Sequence, residues 1–140
     1  MDFLTSFKIC SSGLAAQRVR MDVIASNLAN AETTRTPEGG PYKKKTVVLT
    51  SEPLPGAFGT SLNDAARVVK VEKIEEDREV RMVYDPTHPD ADGKVFVAKP
   101  NINLMMEMAD MITTSRNYEA CVTAFDATKN MALKTLEIGK

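Results

Sequence analysis

His88 is the one histidine in the chain, so any serine or cysteine mechanism that needs an imidazole base must run through it. It lies in Asp85-Pro86-Thr87-His88-Pro89-Asp90-Ala91-Asp92-Gly93, a composition that predicts an exposed, proline-braced turn. No nucleophile elbow or activated serine stands near it, and catalysis there is not expected. The same turn alternates oxygen donors in the manner of a calcium loop. With His88 at loop position 1, Asp90 and Asp92 fall at 3 and 5 and Gly93 at 6. Position 1 needs an oxygen ligand, however, and position 12 is Lys99 where a bidentate glutamate belongs. The segment reads as a turn. Cys10 and Cys121 are the two cysteines, with no CxxC spacing and no histidine beside them, so buried structural thiols are expected. Lys43-Lys44-Lys45, next to Tyr42, is the densest positive charge. Three lysines without a recognition fold make no nucleic-acid motif. They read as a solvated loop or, where they have a role, as a contact for acidic groups on an adjacent subunit. No phosphate-binding glycine loop and no His-Glu-x-x-His is present. Catalytic, metal and cofactor sites are therefore all expected to be absent.

A chain of 140 residues holds one ordinary domain, or a small domain with extensions. The 43% hydrophobic content permits a core, built mainly of aliphatic residues because only 6% is aromatic and tryptophan is lacking. A net charge of −1 gives no global attraction to nucleic acid or anionic lipid. It divides unevenly: residues 1–50 are net +3, 51–100 net −3 and 101–140 net −1. No apolar run approaches the roughly 20 residues of a membrane span. The opening Met1-Asp2-Phe3-Leu4 lacks the basic start of a cleavable secretory signal. Composition alone would suggest a cytoplasmic protein.

Phe3, Phe7, Cys10, Leu14, Gln17, Met21, Ile24, Leu28 and Ala31 recur at spacings of 4 and 3, a heptad seam with one polar member, Gln17. Ala15, Ala16, Val19 and Val23 broaden the stripe beyond a two-helix seam. The C-terminal segment repeats the pattern with Leu104, Met108, Met111, Ser115, Tyr118, Val122, Phe125, Lys129, Ala132 and Leu136. Pro100 blocks the helix upstream, Asn103 suits an N-cap, and Gly139 ends it. The expected fold is α+β: two long terminal helices pair as an antiparallel coiled coil, with a small β-domain at the far end. Burying one seam offsets only part of the entropy of ordering both helices. The second stripe on each helix is therefore expected to be covered by neighbouring molecules, with the helices loose in the free subunit. A self-complementary surface that does not close generates a filament.

Between the helices, turn formers in Thr36-Pro37-Glu38-Gly39-Gly40-Pro41 predict a loop. Strands are expected at Thr46–Thr50, Arg67–Glu75, Glu79–Tyr84 and Lys94–Ala98. Four parts result: an N-terminal helix over 1–31, a post-helix loop and short strand over 32–50, a β-rich unit over 51–100 and a C-terminal helix over 101–140.

Ser12-Gly13-Leu14-Ala15-Ala16-Gln17 and Ile24-Ala25-Ser26-Asn27-Leu28-Ala29-Asn30-Ala31-Glu32-Thr33 resemble the N-terminal signature of bacterial flagellar rod and hook proteins. The continuation Thr36-Pro37-Glu38-Gly39-Gly40-Pro41-Tyr42-Lys43 is similar to the proximal-rod members in particular. Tyr84-Asp85-Pro86, Asp92-Gly93, Pro100-Asn101, Glu107-Met108, Ser115-Arg116-Asn117-Tyr118-Glu119-Ala120 and Lys134-Thr135-Leu136-Glu137-Ile138-Gly139 agree with it. The resemblance implies a non-enzymatic subunit of the basal-body rod, a drive shaft crossing the periplasm. It implies export, unfolded and without a cleavable signal, through the flagellum-specific type III channel, which replaces the cytoplasmic expectation. Partners would be copies of itself, other proximal and distal rod proteins, and an adaptor at the rod base or export gate, with no nucleic acid. Expected packing residues are Phe7, Leu14, Met21, Ile24, Leu28, Met108, Met111, Tyr118, Val122, Phe125 and Leu136. Tyr42, Lys43, Lys44 and Lys45 form the expected inter-subunit loop.

Overall fold

The computed structural model describes residues 3–54, 66–90 and 95–139. Two helices frame it. The first, α1, is Phe3–Ala29, about 40 Å long at 1.5 Å per residue. The last, α2, is Leu104–Ile138, about 52 Å. Asn103 caps α2 as its sequence suggests, its side-chain oxygen accepting from the Met105 and Met106 amides at 3.1 and 3.3 Å. Gly139 closes the other end.

Among the described residues, four strands lie between them in two antiparallel hairpins. The first pairs β1, Lys45–Pro53, with β2, Arg67–Glu76. The second pairs β3, Val80–Tyr84, with β4, Phe96–Pro100. All four strands fall where the β-branched runs place them, so the α+β expectation holds. The inserted unit is two separate two-stranded sheets. An isolated hairpin is marginal in water, so each must lean on something else.

The helices run antiparallel. Phe7 meets Phe125 edge-to-face at 4.9 Å between ring centroids. A Cβ added at Gly13 would lie 3.4 Å from the Cys121 Sγ. Asn27 bonds Glu107 at 3.1 Å. Residue numbers across the pair thus sum to nearly the same value throughout, which fixes the register. Gly13 marks the close approach: the absent side chain lets the two backbones draw together. Both cysteines are free, with Cys121 one turn from Cys10 along the pair.

The β1–β2 hairpin does not sit at the far end as expected. It folds back along α1. The Lys45 backbone is bonded to Asn27 and the Val69 amide donates to the Ser12 hydroxyl at 3.2 Å. Ser12 to Asn27 spans about 22 Å of helix, and nine strand residues reach about 30 Å. The second stripe of α1 is therefore covered inside the chain rather than by neighbours. Ala16, Val23, Ile24 and Asn27 are buried.

The seam of α2 also differs from the expected one. Met111, Tyr118, Phe125 and Ala132 face α1, but the intervening positions are Glu107, Thr114, Cys121 and Thr128, each one residue before the expected Met108, Ser115, Val122 and Lys129. Thr114 and Thr128 are 1% and 8% exposed, and each donates its hydroxyl back to its own helix, at Asp110 O (2.7 Å) and Ala124 O (2.9 Å). Small side chains that satisfy themselves allow a tight seam without aliphatic bulk. Met108, Val122 and Leu136 consequently turn outward, at 45%, 36% and 71% exposure.

Candidate assembly surfaces and the helix–strand junction

The densest polar geometry lies where α1 hands over to β1. Asn30 donates to the Ser26 carbonyl (2.9 Å) and accepts from the Thr33 hydroxyl (3.2 Å), which ends the helix in a turn. The chain then makes a tight bend in which Gly39 and Gly40 take φ of +90° and +82°, where a side chain would be strained. Thr36 bonds the Gly40 carbonyl through both its amide (2.9 Å) and its hydroxyl (3.1 Å). Tyr42 comes back to α1, its amide on Thr33 O and its hydroxyl within bonding distance of Ser26 and Asn27.

Asn27, 1% exposed, uses its whole amide. Its Oδ1 accepts from the Lys45 backbone amide (2.9 Å) and from Tyr42 (3.2 Å). Its Nδ2 donates to the Lys45 carbonyl (2.8 Å) and to the Glu107 carboxylate (3.1 Å). The side chain thereby meets Lys45 as a neighbouring strand would. Glu107, 3% exposed, is held by this bond and by Lys44 Nζ at 2.9 Å. A buried carboxylate demands such partners. Asn27, Lys44 and Glu107 together tie both helices and the first strand to one point, beside a 260 Å³ cleft that Arg20 and Asp110 also line.

The expected inter-subunit loop is thus largely engaged within its own chain. Within the chain, Lys44 Nζ reaches Glu107 and the Tyr42 hydroxyl reaches Asn27. Lys43 and Lys45 reach Glu76 only at 4.0 and 3.8 Å, half-exposed pairs that contribute little. Ser26, Asn27, Asn30 and Thr33 stand out in the sequence as part of a motif, but their mechanism does not. The signal present was Ser26 and Asn27 in the last turns of the apolar helix, with Asn30 and Thr33 directly behind it.

Among the expected packing residues, Ile24 is buried at 5% exposure, while Phe7, Leu14, Met21, Leu28, Met111, Tyr118 and Phe125 are half-buried. Gln17 has its Oε1 buried without a hydrogen-bond partner in the seam. A lone polar group of this kind specifies register at a cost in stability. Elsewhere, α2 is bare. Leu104, Met105, Met108 and Ile112 share one face about a third of a turn from the seam, and they are 44%, 74%, 45% and 57% exposed.

His88 sits in the expected turn, its Nδ1 accepting from the Asp90 amide at 3.1 Å. Asp85 Oδ1 accepts from the Thr87 hydroxyl (2.8 Å) and amide (3.1 Å), bonds that hold its carboxyl below the usual carboxylate range. The Asp92 and Gly93 of the calcium-loop reading lie outside the described residues. No three potential metal ligands gather among the described residues, and no described helix is long and apolar enough to cross a membrane.

A long helix pair that clothes one helix and leaves the other bare defines an assembly subunit. Comparison with known proteins agrees. The family model for flagella basal body rod proteins matches residues 7–35, and that for the C-terminal part of flagellar basal body rod FlgEFG proteins matches 96–138. The flagellar basal-body rod protein FlgC of Bacillus subtilis is 47% identical, over 96% of this chain and 97% of its own length. FlgC of Escherichia coli O157:H7 is 40% identical over the full length of both, and FlgC of Borreliella burgdorferi is 38% identical over 99% and 98%. The chain belongs to the flagellar basal-body rod protein FlgC family. It is a structural rod subunit of the flagellar basal body, not an enzyme.

Proposed function

We propose that the chain polymerises through its terminal helices, within residues 1–31 and 101–140, into the proximal rod that carries torque from rotor to hook. The observation that carries this reading is the bare face of α2, where Leu104, Met105, Met108 and Ile112 form a contiguous apolar stripe. Such patches mark protein contacts. Its partners are copies of itself, other proximal and distal rod proteins, and an adaptor at the rod base. Met108, Val122 and Leu136 face those partners. Phe7, Leu14, Met21, Ile24, Leu28, Met111, Tyr118 and Phe125 hold the subunit rigid, and Lys43 and Lys45 brace the next subunit's acidic groups. Passage through the type III export channel without a cleavable signal, and residence within the periplasm, belong to the same reading.

The test is a deletion strain examined by electron microscopy. Non-flagellated cells that regain rods with the intact chain, but not with one lacking Phe3–Ala31, support the reading. Motile cells without the gene would end it.

One observation favours a second role for the β-unit. Val80, Met82, Tyr84 and Phe96 share the open face of the β3–β4 hairpin at 41–66% exposure. As a binding module it would recognise an adaptor or cell-wall component. Serine substitutions on that face would then abolish partner binding while leaving rod incorporation intact.

A further inference from the structure

The chain's two cysteines stand far apart in sequence, and the antiparallel helix pair brings them to one level of the seam. Phe7 faces Phe125 at 4.9 Å between ring centroids. From Phe7 to Cys10 is a rise of about 4.5 Å along α1, and the same rise back along α2 from Phe125 leads to Val122. Cys10 is thus level with the Cys121–Val122 turn. The other fixed point agrees. Cys121 Sγ lies 3.4 Å from where a Gly13 Cβ would stand, one turn beyond Cys10. A helical side chain leans toward the N-terminus of its own helix, which for α2 is the direction of rising residue numbers in α1. The Cys121 backbone therefore lies nearer the level of Cys10 than its sulfur does.

Gly13 supplies the closeness that a covalent bond needs. Helices meeting at a glycine approach to about 8 Å between axes, and Cα cylinders of about 2.3 Å radius are then roughly 3.5 Å apart at the seam. With an offset of about 1.5–4 Å along the axis, the two Cα atoms stand about 4–6 Å apart, within the span a disulfide bridges. The movement required is rotation of the Cys121 side chain from Gly13 toward Cys10. Both cysteines are half-buried, so a small oxidant reaches them. Phe7 with Phe125 on one side, and Leu14 and Tyr118 on the other, hold the two backbones in place.

We infer that Cys10 and Cys121 close into an intramolecular disulfide that staples α1 to α2 when the chain meets an oxidising compartment. One cysteine sulfur, deprotonated, attacks the disulfide of a small-molecule or protein donor and expels one of its thiols. The second cysteine then attacks the mixed disulfide, the Cys10–Cys121 bond forms, and the donor leaves as its second thiol. Two electrons pass to the donor, and its two sulfurs take up the two protons that the cysteines lose. The new bond encloses about 110 residues, a loop long enough that cross-linking strips much freedom from the unfolded chain. The reduced chain can be drawn out as a single strand, whereas the oxidised one cannot, so in an exported subunit the bond belongs after passage. The compartment rests on the periplasmic reading above; the pairing of the two thiols does not.

Oxidised glutathione added to the purified full chain tests the pairing. The expected product is a monomer that has lost two hydrogens, carries no glutathione and does not react with maleimide after denaturation. Its melting temperature should exceed that of the reduced chain by on the order of 10 °C and fall back with dithiothreitol. Cys10→Ser and Cys121→Ser should show no such rise. Glutathione on both cysteines, disulfide-linked dimers, or a closed monomer that melts no higher than the reduced chain would overturn the inference. In basal bodies isolated with free thiols blocked, both cysteines should take a maleimide label only after reduction. Cysteines already blocked before reduction would overturn it as well. Absence of the chain from basal bodies would end the rod reading, and the glutathione experiment would still decide the pairing.

Discussion

The two helices look alike in composition and periodicity yet live in different surroundings. α1 is clasped on one side by α2 and on another by the β1–β2 hairpin, and its middle carries the buried residues Ala16, Val23 and Ile24. α2 is covered only along a narrow seam of small or polar residues, and most of its methionines and leucines are open. A broad apolar stripe therefore signals a second contact without saying whether the chain or a neighbour supplies it. Here the chain supplies it for α1 and leaves it open for α2.

Substitutions on the two helices should separate sharply. On α1, Ile24→Ala removes a buried side chain between helix and hairpin and should cost the isolated chain about 3 kcal/mol in denaturant unfolding. A loss under about 1 kcal/mol would mean the hairpin does not clasp the helix. At the junction, Lys44→Met should cost nearly as much, about 3 kcal/mol, because it strands the Glu107 carboxylate where side-chain exposure is 4%. Glu107→Gln should cost less, about 1–2 kcal/mol, since Lys44 is 31% exposed and can turn to water. The reverse order would show that the network does not depend on a buried charge. A gain is expected at Val95, a β-branched residue with φ of +69°; Val95→Gly relieves that strain and should raise stability by about 1 kcal/mol. The smallest effect belongs to the bare helix. Met105→Ser with Ile112→Ser should leave the isolated chain within about 0.5 kcal/mol of the parent and yet prevent rod incorporation, seen as loss of motility. If that pair instead unfolds the chain, the contrast between the helices is lost.

Much of this was legible in the residues. Asn103 and Gly139 bound α2 because capping is local chemistry, and the four strands stand out because β-branched runs alternate with turn formers. The alternate seam positions of α2 were hidden. Glu107, Thr114, Cys121 and Thr128 read as polar or small, and an apolar count points one residue on, to Met108 and Val122. What selects them is closeness of approach, visible only with Gly13 opposite Cys121. The docking of the hairpin along α1 was equally hidden, since it rests on long-range contacts such as Ser12 to Val69 that no local pattern encodes. The Asn27 junction lay between: its residues were conspicuous and its geometry was not.

By standing in for a strand beside Lys45, Asn27 makes the helix the ruler from which the sheet is measured. The stretch between them is moored at both ends, so residues added around Gly39 and Gly40 would bulge outward as slack and leave every rung from Lys45–Glu76 to Pro53–Arg67 in place. A change in the length of that loop would thereby leave the spacing between helix and sheet unaltered.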